Sequence, residues 1–449
     1  MKKEFVSVLA FKRGLLGLLL LLLALPAVQA KWSLMAVWPL DGAFQPSPRA
    51  IFSWADLGTG TYQGQLEKYL DDRIGFRPYL IRLRNQLAFS LFRMARSGEI
   101  AIGRHDVLFE LRQVESYMGH DRLTEAEVRF RVRRLRTVQR DLGRRGVQML
   151  FVMAPNKARF QPEDLPVSLR PAPGTVTNYD LYLRALQADT VALLDMVPLF
   201  AQWKKTKPYP LFPRGGTHWS GYGATLTADT LLRRLEQIGE LHFPAVRTTG
   251  PPRIVRATDS LRATDNDLAK PLNLLRQVEA TPLAYRQLAF SPPQPGQTRP
   301  PALFVSDSFI WGLAIFSPYL LHQFADDTRV WYYGYGIYVP DSLFHDTRVL
   351  VQTLNLRQQI ESRRFIVLLL TEHNLVTHEF DFTNKVYRLY HPLTAADNVA
   401  IDQIAEKLVR NATAQNANAV WAEQTKNNDG FTRRNREKAE VIYDSQHAN

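Results

Sequence analysis

Val147-Gln-Met-Leu-Phe-Val-Met153 follows Gly146 and ends in Ala154-Pro-Asn-Lys157. A short, mostly apolar run after a glycine reads as a strand buried on both faces, the form taken inside a parallel sheet. The segment before it, Leu123 to Leu142, is a basic stretch with helical spacing that stops at Gly143. Beyond it, Asn178 to Gln187 is predicted helical, Thr190 to Leu194 a strand ending in Asp195, and Val197 to Trp203 a short helix. A helix is expected from Tyr222 to about Ile238. Ala302-Leu-Phe-Val305 is the next strand and runs through Ser306-Asp-Ser-Phe309 into a helix reaching about His322. Val330 to Tyr333 and Phe365 to Leu370 supply two more strands. Strands and helices in alternation predict an α/β fold, a mostly parallel sheet with helices on both faces. In such sheets ligands bind at the carboxyl ends of the strands.

The rest of the chain is read around that sheet. Residues 1–13 form a basic leading region, 14–30 an apolar run dominated by leucine, 31–60 a Pro/Gly-rich linker, 61–400 the main domain and 401–449 a C-terminal helix with a polar tail. Leu66, Tyr69, Leu70 and Ile74 have helical spacing, and a second helix is expected from Tyr79 to about Met94. Its stripe of Leu80, Leu83, Leu87 and Leu91 is expected to pack into the core. Ile100 to Phe109 reads as two short strands around a turn. Residues 243–300, rich in Pro, Arg and Thr, read as an irregular surface excursion with a helical patch near Leu268 to Leu275. The run Trp331-Tyr-Tyr-Gly-Tyr-Gly336 reads as half-buried strand and turn, with a sugar-binding surface as the alternative. The tail from Lys426 is expected to fray.

Charge and composition narrow the function. The 449 residues carry a net charge of +13, which favours anionic partners. The basic residues are scattered, with clusters such as Arg133-Arg-Leu-Arg136 and Arg433-Arg434 read as solvated helix faces. No nucleic-acid motif accompanies them, so no nucleic-acid partner is expected. The chain has no cysteine, which excludes disulfides, thiolate metal sites and a cysteine nucleophile. Lys2, Lys3, Lys12 and Arg13 ahead of the run Gly14 to Ala30 are an export signature with the positive end retained in the cytoplasm. An uncleaved inner-membrane anchor is expected, with cleavage after Val28-Gln-Ala30 as the alternative. Either outcome puts the body of the chain on the periplasmic or cell-surface side.

Two stretches carry candidate chemistry. A strand entering Ser306-Asp-Ser-Phe309 before a helix is a usual setting for a nucleophilic serine, and Ser308 is the candidate. Ser306 or Asp307 can equally be helix caps. A serine needs a base, and His218 in Phe212-Pro-Arg-Gly-Gly-Thr-His-Trp-Ser-Gly-Tyr-Gly-Ala224 is the best placed, with His373 as its main competitor. Backbone N–H groups at the serine turn, aided by Asn156, are expected to support an oxyanion.

Tyr69-Leu-Asp-Asp-Arg-Ile-Gly-Phe-Arg77, Ile100-Ala-Ile-Gly103 with Leu108-Phe109, Pro155-Asn-Lys157, Thr217-His-Trp219, Asn266-Asp-Leu-Ala269, Ser306-Asp-Ser-Phe309 and Leu370-Thr-Glu-His-Asn-Leu375 occur in this order. Together they resemble the SGNH-hydrolase-like proteins of alginate and related O-acetyltransferases, the AlgJ/AlgX-like group. The resemblance implies a serine-histidine-aspartate arrangement in an exported domain that moves acetyl groups onto a polysaccharide, without metal or organic cofactor. It also implies a membrane-bound O-acyltransferase partner, and the +13 charge would suit an anionic acceptor. By the family pattern Ser308 is the nucleophile and His218 the base. Two positions depart from the pattern: Gly216 stands where the family has an aspartate, and Ser306 where it has a glycine. Asp195 or Glu372 is the expected substitute for the missing acid. The alternatives are a slow dyad, a noncatalytic glycan-binding or scaffold component, or a carbohydrate acetylesterase.

Overall fold

Seven strands make the central sheet of the protein, whose structure is a computed structural model describing residues 2–42 and 45–447. They are β1 (Gln148–Ala154), β2 (Leu193–Asp195), β3 (Ala302–Ser306), β4 (Arg329–Tyr332), β5 (Gly336–Val339), β6 (His345–Leu350) and β7 (Phe365–Thr371). Their spatial order is β6-β5-β4-β3-β7-β1-β2. β4, β3, β7, β1 and β2 are parallel, as the apolar runs predict. β5 and β6 add an antiparallel edge that the sequence reading did not contain. β6, His-Asp-Thr-Arg-Val-Leu, is largely exposed and has no apolar face to announce it.

Successive side chains on a strand point to opposite faces, and here both faces are covered. Leu150, Val152, Phe304, Val367 and Leu369 pack into one core with Trp219 and Leu235. Phe151, Met153, Val305, Leu368 and Leu370 pack into the other with Leu135 and Tyr182. After β2 the chain leaves the sheet, and it re-enters as β3 three places away. β7 then inserts between β3 and β1, with Leu369 opposite Ser306 and Thr371 opposite Ala154. The carboxyl ends of β1, β7 and β3 therefore open side by side.

Five expectations need correction. The excursion over residues 243–300 contains two antiparallel ladders, Val246–Thr248 with Leu288–Phe290 and Arg253–Val255 with Leu283–Tyr285. The patch expected to be helical holds only the 3₁₀ turn Lys270–Leu272. The polar tail is not frayed, because Asn428–His447 is a helix that folds back onto the helix Glu125–Gly143. There Arg131 meets Glu437 at 2.5 Å and Arg134 meets Glu440 at 2.6 Å. Both arginines are buried, so part of that basic helix is not a solvated face. A buried guanidinium without its carboxylate is strongly destabilising, which ties the tail to the domain. Finally, Leu80, Leu83, Leu87 and Leu91 are exposed on the helix Arg77–Phe92 instead of packing in the core. Asn85, Ala88 and Phe89 form the face that is buried.

Candidate active site

β3 runs directly into Asp307 and Ser308. The Asp307 carboxylate accepts from the N–H of Phe309 at 3.1 Å, the N–H and hydroxyl of Thr371 at 2.8 and 2.7 Å, and the amide of Asn374 at 2.8 Å. Asp307 is thus a cap, and it also pins the serine turn to the end of β7. Ser308 is half-buried.

The other half of the site comes from the glycine-rich loop before the helix Gly221–Gly239. Ser220 caps that helix, accepting from Gly223 N–H at 3.1 Å. Trp219 is buried and meets Phe309 edge-on at 5.0 Å. Next to it the His218 ring lies against Phe309 and stacks on Trp311 at 5.8 Å. His218 Nε2 is 2.7 Å from Ser308 Oγ, and Nδ1 is 2.5 Å from Asp267 Oδ2. Asp267 Oδ1 accepts the N–H of Thr217 at 2.9 Å, so one carboxylate holds both the ring and the loop that carries it. With Nδ1–H on Asp267, Nε2 presents its lone pair to the serine. Burial lowers the pKa of His218, but the charge and hydrogen bond of Asp267 outweigh it, with Asp307 and Glu110 behind, and leave it above 6.5.

Ser308, His218 and an acid therefore meet, but the acid is neither expected carboxylate. Asp195 accepts from the Tyr179 hydroxyl at 2.8 Å and caps Val197 at 3.0 Å. Glu372 is buried, accepting from Arg159 Nε at 2.5 Å and from the N–H of Asn156 at 3.0 Å. Each has a structural partner, and the bond to His218 Nδ1 is made by Asp267 instead. Asn156 is fully buried, its amide N turned to the Gln113 carbonyl at 3.3 Å and its Oδ1 to His373 Nδ1 at 3.2 Å. His373 also bonds Thr371 Oγ1 at 3.0 Å, in the floor beneath the serine turn. Besides Asp267, sequence reasoning missed Tyr333, whose hydroxyl donates to Ser308 Oγ at 3.3 Å. Burial raises the Tyr333 pKa, so its hydroxyl stays protonated and able to donate.

The glycine at position 216 now has a physical explanation. Leu268 and Ala269 both donate their N–H to the Gly215 carbonyl, at 3.0 and 2.9 Å, which lays the Asp267 loop across the Gly-Gly pair. A Cβ at Gly216 would stand 2.4 Å from Thr264 O, and one at Gly215 would stand 2.7 Å from Asn266 Oδ1. The absent side chain is the space through which the acid-bearing loop approaches. Gly216→Asp should therefore lower stability by about 1–3 kcal/mol through overpacking and displace Asp267, reducing activity. A thermal melt and a rate measurement check this; an unchanged melt with faster turnover would return the acid to position 216.

Lys157 fixes the same loop from below. It is fully buried, and its ammonium aims three N–H donors among the carbonyls of Leu108, Pro213, Arg214 and Gly216, at 2.7, 2.6, 3.1 and 2.7 Å. Burial pushes its pKa down to about 7, against the pull of Asp267 and Asp164. Lys157→Met strands those carbonyls, at about 1–3 kcal/mol for each one that water cannot reach. Urea unfolding should register a loss of at least about 3 kcal/mol on that basis; a loss under about 1 kcal/mol would mean the clamp is unimportant.

The family model described as "SGNH hydrolase-like domain, acetyltransferase AlgX" matches residues 100–305. The chain is 27% identical over 243 residues to the "Probable alginate O-acetylase AlgJ" of Pseudomonas aeruginosa, covering 54% of each chain. It is 27% identical over 212 residues to the protein of the same description from Azotobacter vinelandii, covering 46% of this chain and 50% of that one. The chain thus spans about half the length of the curated relatives it matches. Among solved structures it is similar to the O-acetyltransferase domain of Pseudomonas putida AlgJ, at 18% identity and a TM-score of 0.41, covering 66% of this chain and 99% of that one. Pseudomonas aeruginosa AlgX is another, at 13% identity and a TM-score of 0.37, covering 62% and 67%.

Proposed function

We propose that this chain, whose residues 100–305 match the model of an SGNH hydrolase-like acetyltransferase domain, transfers acetyl groups to hydroxyls of an extracellular polysaccharide through a serine acyl-enzyme. The observation that carries the reading is the line Asp267–His218–Ser308, with contacts of 2.5 and 2.7 Å. His218 Nε2 takes the Ser308 proton as Oγ attacks the acetyl carbonyl of a donor ester. The Oγ–acetyl bond forms, the bond from acetyl to the donor oxygen breaks, and His218 returns the proton to that leaving oxygen. A sugar hydroxyl then attacks the acetyl-serine while His218 accepts its proton and passes it to Ser308 Oγ. The oxyanion of each tetrahedral intermediate lies beside the Ser308 N–H and the Tyr333 hydroxyl. Asn156 supports that floor through His373.

The acetyl donor is supplied by a membrane-bound O-acyltransferase partner, and the chain works on the periplasmic side, anchored by its N-terminal helix. Ala10–Trp32 is long and apolar enough to cross a membrane and supports that placement. The +13 charge suits an anionic acceptor.

The test is to incubate the full chain in detergent with an activated acetyl ester, with and without an anionic glycan such as unacetylated alginate. Acetyl on the glycan is the expected result. Hydrolysis that the glycan leaves unchanged would identify an esterase, and an inert chain would leave binding or scaffolding as its role.

A further inference from the structure

The exposed leucine stripe on the helix Arg77–Phe92 is the largest departure from the expected core. The helix seats Asn85, Ala88 and Phe89 on the domain, and Asn85 Nδ2 donates to Leu272 O at 2.8 Å. At 100° per residue Leu80, Leu83, Leu87 and Leu91 fall on the opposite side. They are 46–68% exposed. A soluble surface seldom keeps so continuous an apolar stripe, which marks contact with protein or membrane.

What stands beside the patch identifies the occupant. Gly75, in the turn entering this helix, packs so closely on Pro26–Ala30 that an added Cβ would lie 2.2 Å from Pro26 O and 2.6 Å from Gln29 Cβ. Those residues end the apolar helix Ala10–Trp32. Arg82 ties the following segment down, donating to Trp38 O at 2.9 Å and Pro39 O at 2.6 Å. Trp32 and Trp38 are exposed at this junction, the position of aromatic residues at a bilayer interface. Arg84 is exposed on the same helix, and its charge fits lipid phosphates. The apolar face thus begins where the apolar helix ends.

We propose that the helix Arg77–Phe92 lies on the membrane surface beside the chain's own anchor, its leucines in the acyl boundary and its arginines at the headgroups. The inference rests on the reading that Ala10–Trp32 spans a bilayer. Such contact fixes the domain at the surface instead of letting it swing on the linker.

The absence of cysteine makes the test direct. Leu83→Cys, Leu87→Cys, Leu20→Cys and Lys205→Cys are each introduced into the full chain, labelled with bimane and reconstituted into vesicles of phosphatidylethanolamine and phosphatidylglycerol carrying spin-labelled lipid. Labels at positions 83 and 87 should be quenched as is one at position 20, while one at position 205 keeps its fluorescence. Quenching at 20 without quenching at 83 and 87 would overturn the surface contact and leave the anchor standing. No quenching at any position would overturn both, with acetyl transfer by the same variants still reporting separately on the serine site.

Discussion

Ser308→Ala and His218→Ala should each reduce turnover of an activated acetyl ester by about 10⁶-fold, and the double variant should be no slower than either single one. The reason is geometric. Ser308 Oγ has one proton acceptor in this site, His218 Nε2 at 2.7 Å, and His218 has no other hydroxyl to activate there. Each group is idle without the other, so their losses do not add. The residual rate would come from binding and from the oxyanion donors, which both variants retain. Purified variants compared by initial rate, with matched circular dichroism spectra, check this. Additive losses, or a Ser308→Ala variant within about tenfold of wild type, would remove the dyad from the mechanism.

Asp267→Asn should cost about 10⁴-fold in turnover while leaving the fold intact. Asparagine keeps the size of the side chain and the acceptor for Thr217 N–H, but can present its NH₂ to His218 Nδ1. That favours the tautomer with the proton on Nε2, the wrong one for accepting from Ser308. The substitution also removes the charge that outweighs burial and holds the His218 pKa above 6.5. Turnover requires neutral His218, so the wild-type rate should rise with pH through an inflection above 6.5, and Asp267→Asn should move that inflection down. The linked stability has a matching sign. A histidine whose pKa is raised on folding contributes fully below its unfolded value and loses that contribution as pH climbs through its folded value. Asp195→Asn should leave the pH inflection in place, because Asp195 bonds Tyr179 and Val197. Glu372→Gln should lower stability through its buried pair with Arg159 without imitating the Asp267 phenotype.

How much of this was legible in the sequence depends on whether the cause was local. β1, β3 and β7 are apolar runs buried on both faces, and such strands announce themselves. Ser308 and His218 sit on turns whose composition is itself the signal: a strand entering Ser-Asp-Ser, and Gly-Gly before His-Trp. Asp267 lies 49 residues beyond its histidine, in a stretch with no periodicity, and only the folded Gly215 contact brings it back. Its motif, Asn266-Asp-Leu-Ala269, was visible, but its role was not. The missing side chain at Gly216 looked like a lost acid because the sequence cannot reveal that a second loop occupies its space. Tyr333 was hidden by neighbours that read equally well as strand and turn. The leucine stripe of Arg77–Phe92 shows a further limit of periodicity, which reports that a helix has an apolar face but not what covers it. Arg134, in the cluster Arg133-Arg-Leu-Arg136, reads as solvated because its carboxylate arrives from Glu440, some 300 positions away, on a segment too polar to suggest a docked helix.

The most direct measurement is to trap the enzyme with an activated acetyl ester, without acceptor, quench it in acid and locate the acetyl group by peptide mass spectrometry. Acetyl on Ser308, absent from Ser308→Ala and released as acetylated glycan when acceptor is added before the quench, is the predicted result. Acetyl on another residue, or labelling that survives Ser308→Ala and still passes to glycan, would contradict the account.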